Sequence, residues 1–131
     1  MKLKLKIEAT ADQMTLLCAT LENLQKSLKC TDRQMFEIVL VLEELIANVI
    51  RHGGGRTVEI ELDKEGRDLQ MIMCDDGAPF DPTSVAPPDT TAPLQERCAG
   101  GLGIHLVKRY VDSFTYRREN DKNIVTVTKT M

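Results

Sequence analysis

Glu44 and Asn48 stand one helical turn apart inside a run, Thr31 to His52, whose apolar residues from Met35 to Ile50 go nearly all the way round a helix. At 3.6 residues per turn, Glu37, Glu44, Asn48 and Arg51 fall within roughly 60° of one another, so a carboxylate and a carboxamide share one face of an apolar rod. A carboxylate so placed can take a proton from an attacking hydroxyl or water. A carboxamide oxygen beside it suits Mg²⁺, which keeps waters and phosphate oxygens in its shell and needs few protein ligands. The plainer alternative is a solvated edge of an amphipathic helix, since Glu-x-x-x-Asn is a common spacing.

Two further stretches bear on that choice. Asp75-Asp76-Gly77-Ala78-Pro79-Phe80-Asp81-Pro82 follows the apolar run Leu69 to Cys74. A carboxylate at the mouth of such a strand, Asp75, can accept a hydrogen bond from an exocyclic amine such as that of adenine, and Gly77 leaves room for a flat ring. A simple Asp-Gly turn is the competing reading, with Asp76 facing solvent. Gly100-Gly101-Leu102-Gly103 opens a helix expected over Leu102 to Val111, where converging backbone N–H groups favour an anion such as phosphate. It matches neither a Walker A loop nor a dinucleotide fingerprint. His52 and His105 have no paired nucleophile and read as a helix-end residue and a helix-surface residue.

The elements that must position these groups follow from periodicity. Lys2 to Ile7 alternates lysine with aliphatic residues, as an edge strand does. Ala11 to Leu28 carries Met14, Leu17, Cys18, Leu21, Leu24 and Leu28 at helical spacing. Thr31 and Gln34 form a helix-start signal for the central helix, and Gly53 to Gly55 end it. Thr57 to Leu62 and Leu69 to Cys74 read as a hairpin turning at Gly66, and Ser113 to Arg118 and Ile124 to Lys129 as a second, turning across Asn120 to Asn123. All five prolines lie between Ala78 and Ala99, a stretch of about twenty residues without periodicity, which inside a compact domain marks a lid or binding loop. The order predicts an α+β fold, a two-layer sandwich with helices on one face of a mostly antiparallel sheet.

The 131 residues suit a single domain, residues 1–131, and the 42% hydrophobic and 28% charged content is that of an ordinary globular chain. A net charge of −3 without a basic run argues against direct nucleic-acid binding. No stretch reaches the ~20 apolar residues of a membrane span, so no membrane partner and a cytoplasmic location are expected. The cysteines, Cys18, Cys30, Cys74 and Cys98, lack metal-ligand spacing and read as free thiols, with Cys98 in an exposed segment.

Taken in chain order, Glu43-Glu44-Leu45-Ile46-Ala47-Asn48, Asp75 through Pro82, and Gly100-Gly101-Leu102-Gly103-Ile104-His105-Leu106-Val107 resemble the N box and the two glycine boxes of the GHKL superfamily of ATP-binding domains. Within it the chain is most similar to the anti-sigma factor serine/threonine kinases, through essentially its whole length. The resemblance implies a Bergerat-type fold that binds ATP with Mg²⁺ under a mobile lid at about 78–99. It implies Glu44 as general base, Asn48 as metal ligand, and Asp75, Gly77, Gly101, Leu102 and Gly103 as nucleotide contacts. It further implies phosphorylation of a serine or threonine on a STAS-domain antagonist, and sequestration of a sigma factor. Pro79 replaces the second glycine of many superfamily members, and the second box lacks the basic residue that some kinases carry immediately before its glycines, for which Arg97 is a weak substitute. Histidine kinases are less similar, since Ala11 to Leu28 contains no histidine. A non-catalytic, ATP-dependent binding module and a stand-alone ATPase sensor remain alternative readings. Pairing of two subunits through the leucine face of Ala11 to Leu28 or the edge strand Lys2 to Ile7 is also open.

Overall fold

A computed structural model describes residues 1–54, 56–84 and 99–131, with the backbone alone described at 99–102. Five strands, β1 (Lys2–Glu8), β2 (Thr57–Glu65), β3 (Asp68–Asp75), β4 (Ser113–Glu119) and β5 (Lys122–Thr130), form one antiparallel sheet in the order β1-β2-β3-β5-β4. Three helices, α1 (Ala11–Asn23), α2 (Asp32–Asn48) and α3 (Ala99–Tyr110), complete the α+β sandwich. Much of the expected lid, including Pro87, Pro88, Pro93, Arg97 and Cys98, lies outside the described residues.

Alternation sets the sheet. Val58, Ile60 and Leu62 of β2 and Leu69, Met71 and Met73 of β3 are buried while their neighbours along each strand are more exposed. On the opposite face β1 places Lys2, Lys4 and Lys6 in register with Asp63, Glu61 and Glu59, an alignment of opposite charges that protects an edge. The central helix starts where its sequence says it should. Thr31 accepts from the Gln34 backbone and the Gln34 side chain accepts from the Thr31 N–H, a closed capping box. Along α2, Ile38, Val41, Leu42, Leu45 and Ile46 are all within 2% of full burial. Truncating any of these leucines or isoleucines to alanine should cost about 2–5 kcal/mol.

Three boundaries differ from the sequence reading. The first helix ends at Asn23, and the chain turns through Lys29, which takes a left-handed φ of 55°. Leu28 still reaches the core, as do Leu17 and Leu21, so the leucine face considered for pairing two subunits is already occupied by the chain's own interior. Thr31 to His52 is not one uniform helix either. It widens after Asn48 into a π-turn over Val49–Gly53, a departure that often accompanies a functional side chain. Lastly, α3 begins at Ala99 and not at Leu102, so Gly100 and Gly101 also lie inside its first turn instead of preceding it. The close packing of this helix on α2, described next, gives one of those glycines a use within it.

Candidate functional site

The last turn of α2, the end of β3 and the start of β5 meet at one point. Asn48 is 3% exposed, Asp75 4% and Asn123 3%, the three buried polar residues of the described chain. Asn48 Nδ2 donates to the Glu44 carbonyl at 2.9 Å, which orients the amide, while its Oδ1 is buried with no partner among the described residues. A buried acceptor left unmatched costs about 1–3 kcal/mol, which a water or a ligand atom in the adjoining cavity would offset. The oxygen fits a hard cation that needs one protein oxygen and brings its own waters. Among the described residues there is no cluster of three or more His, Cys, Asp or Glu that would hold a metal by itself.

Asp75 sits directly across the ladder from Asn123. Its Oδ1 accepts from the Gly77 N–H at 2.9 Å and from Asn123 Nδ2 at 3.1 Å, and Oδ2 carries no hydrogen bond among the described residues. A carboxylate held by one oxygen presents the other to a donor. Asn123 does more than hold Asp75. Its Nδ2 also donates to the Ala78 carbonyl at 2.8 Å, and its Oδ1 accepts from Tyr116 Oη at 2.6 Å, from Arg118 at 3.2 Å and from the Phe80 N–H at 3.3 Å. Arg118 also donates to the Gly77 carbonyl at 2.8 Å. Asn123, read from sequence as part of a turn, is thus a strand residue that fixes the path of Gly77 to Phe80. Its signal was hidden by the genuine turn residues beside it, Asn120 and Asp121, both at positive φ.

Around these groups Leu45, Val49, Met73, Phe80, Pro82 and Val125 enclose a cavity of about 20 Å³. That is room for one water, well below the roughly 300 Å³ at which small-molecule pockets begin. Phe80 and Pro82 line the cavity beside Asn48 and Asp75. Phe80 is stacked on His52, ring centroids 4.5 Å apart, and Lys108 Nζ donates to the Thr83 carbonyl at 3.0 Å, so the segment is tied both to the π-turn after α2 and to α3. Larger hollows of about 250 and 380 Å³ lie on the outer face of β1–β3 and at the far end of the sheet. Neither includes a buried polar atom left without a partner.

Other residues of the sequence reading separate by role. Asp76 is exposed as expected, yet its Oδ1 accepts from the Thr57 and Arg56 N–H groups, and those bonds hold its carboxyl below the usual range. Glu37 pairs with Lys129 at 2.9 Å, both 14% exposed, and with Arg33; this ties α2 to β5 and leaves Glu37 out of the pocket. Arg51 and His105 are exposed. Glu43 accepts from Cys18 Sγ at 3.4 Å, a bond between α1 and α2. Glu44 is half-buried and its carboxylate lies against α3. A Cβ on Gly103 would come within 1.8 Å of Glu44 Oε2 and 2.7 Å of its carboxyl carbon. Gly101 and Leu102 are in the first turn of the same helix.

The α+β sandwich, helices layered on one face of a five-stranded antiparallel sheet, is that of a GHKL-type ATPase domain. The chain belongs to the histidine kinase-like ATPase domain family, whose model matches residues 7–129. It is 25% identical over 128 residues to the serine/threonine-protein kinase BtrW of Bordetella bronchiseptica, covering 95% of this chain and 90% of BtrW. Its fold is similar to the RsbU and RsbW domains of Rv1364c from Mycobacterium tuberculosis, with a TM-score of 0.68 at 13% identity. That match takes in 99% of this chain and 32% of the other. The histidine kinase AdeS of Acinetobacter baumannii matches more loosely, at TM-score 0.51 and 15% identity over 98% of this chain and 68% of AdeS. No helix among the described residues is long and apolar enough to cross a membrane.

Proposed function

We propose that the chain is an anti-sigma factor-like serine/threonine protein kinase of the cytoplasm, using ATP and Mg²⁺ to phosphorylate a STAS-domain antagonist, and that it can sequester a sigma factor. The observation that carries this reading is the buried Oδ1 of Asn48, without a partner among the described residues, one turn after Glu44 and lining the same cavity as Asp75. The likeness to a relative named as a serine/threonine-protein kinase supports the activity.

Bound in this site, ATP with Mg²⁺ would supply a phosphoryl group whose developing charge the metal offsets. The chain's own part is positional. Asn48 offers its free oxygen to the cation, with its amide nitrogen anchored on the Glu44 carbonyl. Asp75 accepts the adenine amine, and the Gly77 backbone, with no side chain in the way, lies against the ring. Gly101, Leu102 and Gly103 at the N-terminal end of α3 face the phosphates, where helix N–H groups favour anions. Glu44 takes the proton of the acceptor hydroxyl. Because the cavity holds only one water, entry of a purine requires Phe80 and Pro82 to move, which fits a lid at about 78–99.

The test is calorimetric titration of ATP with and without Mg²⁺ on the wild type and Asp75→Asn, followed by γ-labelled ATP with STAS-domain acceptors. Mg²⁺-dependent binding weakened by Asp75→Asn, with label on an acceptor, is the expected result. Binding and partner capture without label would identify a non-catalytic module, and phosphate release without any acceptor an ATPase sensor. No binding at all would refute the nucleotide site.

A further inference from the structure

Helices α2 and α3 pack closely, with Ile104 and Val107 of α3 each 1% exposed beneath α2. Between those buried anchors and the N-terminal end of α3 stands Gly103, and the Glu44 carboxylate occupies the volume its side chain would have had. Glycine is a poorer helix former than alanine, so a glycine in the fifth position of this helix calls for a reason beyond helix formation. We propose that Gly103 is the positioning residue for Glu44: it is glycine so that the carboxylate can lie against α3, and it thereby fixes where the proton of the acceptor is taken. This rests on the reading of Glu44 as the general base and assigns to Gly103 a role separate from any contact with phosphate.

The geometry gives the size of the effect. With a Cβ at position 103, Oε2 must retreat from 1.8 Å to at least the 3.0 Å that real contacts keep. A base works only within hydrogen-bond reach of the proton it removes, and a misplacement of about 1 Å can cost roughly 10²-fold in rate. What yields is the far end of a flexible side chain and not backbone. Gly103→Ala keeps the backbone N–H through which this position faces the phosphates, so it folds, binds Mg²⁺-ATP within a few-fold of the wild type and loses turnover. Among the described residues no hydrogen bond or ion pair is made by the Glu44 carboxylate; its close neighbour there is the backbone of Gly103.

The experiment is a cycle of four full-length proteins: wild type, Gly103→Ala, Glu44→Asp and the double variant. Each is assayed for γ-labelled ATP turnover with a STAS-domain acceptor and for Mg²⁺-ATP affinity by calorimetry. The aspartate side chain is one methylene shorter and withdraws its carboxylate from the space the Cβ needs. Gly103→Ala should lower turnover roughly 10²-fold in the wild-type background and much less in the Glu44→Asp background, with affinity within a few-fold throughout. Equal factors in both backgrounds, unchanged turnover in Gly103→Ala, or a parallel loss of nucleotide affinity would each overturn the proposal. If Gly103→Ala alone fails to fold while the double variant folds, the contact is supported; if neither folds, it is refuted. A second readout does not depend on activity: the carboxyl ¹³C resonance of Glu44, assigned by its absence in Glu44→Gln, should change its chemical shift in Gly103→Ala. A wild type without turnover defeats the kinase reading while the resonance still decides the positioning role, and an unmoved resonance overturns it.

Discussion

Replacing Asn48 with leucine, a side chain of nearly the same size and shape, should make the nucleotide-free protein more stable while ending its response to nucleotide. The Oδ1 of Asn48 is buried without a partner among the described residues, a state that costs about 1–3 kcal/mol. Removing the amide also removes the Nδ2 bond to the Glu44 carbonyl, worth about 0.5–1.5 kcal/mol. The difference favours the variant by about 1 kcal/mol, and a water resident in the neighbouring cavity would bring it toward zero. For a chain of this length 1 kcal/mol corresponds to a rise of about 4 °C in Tm. Saturating Mg²⁺-ATP should stabilise the wild type by about 2.7 kcal/mol at a hundred times its Kd, and Asn48→Leu hardly at all. Urea and thermal denaturation with and without Mg²⁺-ATP measure both effects. An Asn48→Leu protein less stable than wild type by about 1 kcal/mol or more without nucleotide, or one that keeps the full nucleotide shift, would refute the reasoning. Such a trade of stability for function is common where a binding group is held ready in a dry site.

Three other outcomes are expected. Asn123→Ala should destabilise the fold by about 3 kcal/mol in urea titrations, because it strips a donor from Asp75 and leaves the Tyr116 hydroxyl and the Phe80 N–H without their acceptor; a loss under about 0.5 kcal/mol would mean that the network is incidental. Glu44→Gln should lower phosphotransfer roughly 10²- to 10⁴-fold with ATP affinity nearly unchanged, and an equal loss of binding would assign Glu44 to the nucleotide instead of the proton. Burial, followed by the bond to the Glu43 carboxylate, pushes the Cys18 thiol up to about 12. The ordinary value of this thiol is 9.0, so the folded chain holds its proton longer and the contribution of Cys18 to stability is present below that value and lost as pH climbs toward 12. Denaturation midpoints from about pH 8 to 11 should fall more steeply for the wild type than for Cys18→Ala, and parallel slopes would contradict this.

How much of this molecule could be read from its sequence depends on the range over which each feature is determined. The strand alternation of Thr57 to Leu62, the capping pair Thr31 and Gln34, and the apolar circumference of α2 are local, and the chain folds as they prescribe. The pairing of Glu44 with Asn48 was legible for a related reason: polar residues within an apolar helix are costly and so carry information. Asn123 was not legible. Its burial depends on the register that sets it opposite Asp75, 48 residues away in the chain, and in its own neighbourhood it is one more polar residue beside a turn. Gly103 was legible only in part. Its place at a helix start suggests room for an anion on the backbone, whereas the closeness of α3 to the Glu44 side chain is a fact of packing that no neighbouring residue announces. The leucines of α1 show the same limit from the other side, since periodicity says that a face will be covered without saying by what, and Leu17, Leu21 and Leu28 are covered by the chain itself. Local patterning thus specified the elements and named the costly residues on them. The function proposed for the site depends on contacts between elements, and those are where the carboxylate of Glu44 and the loop after Asp75 acquire their positions.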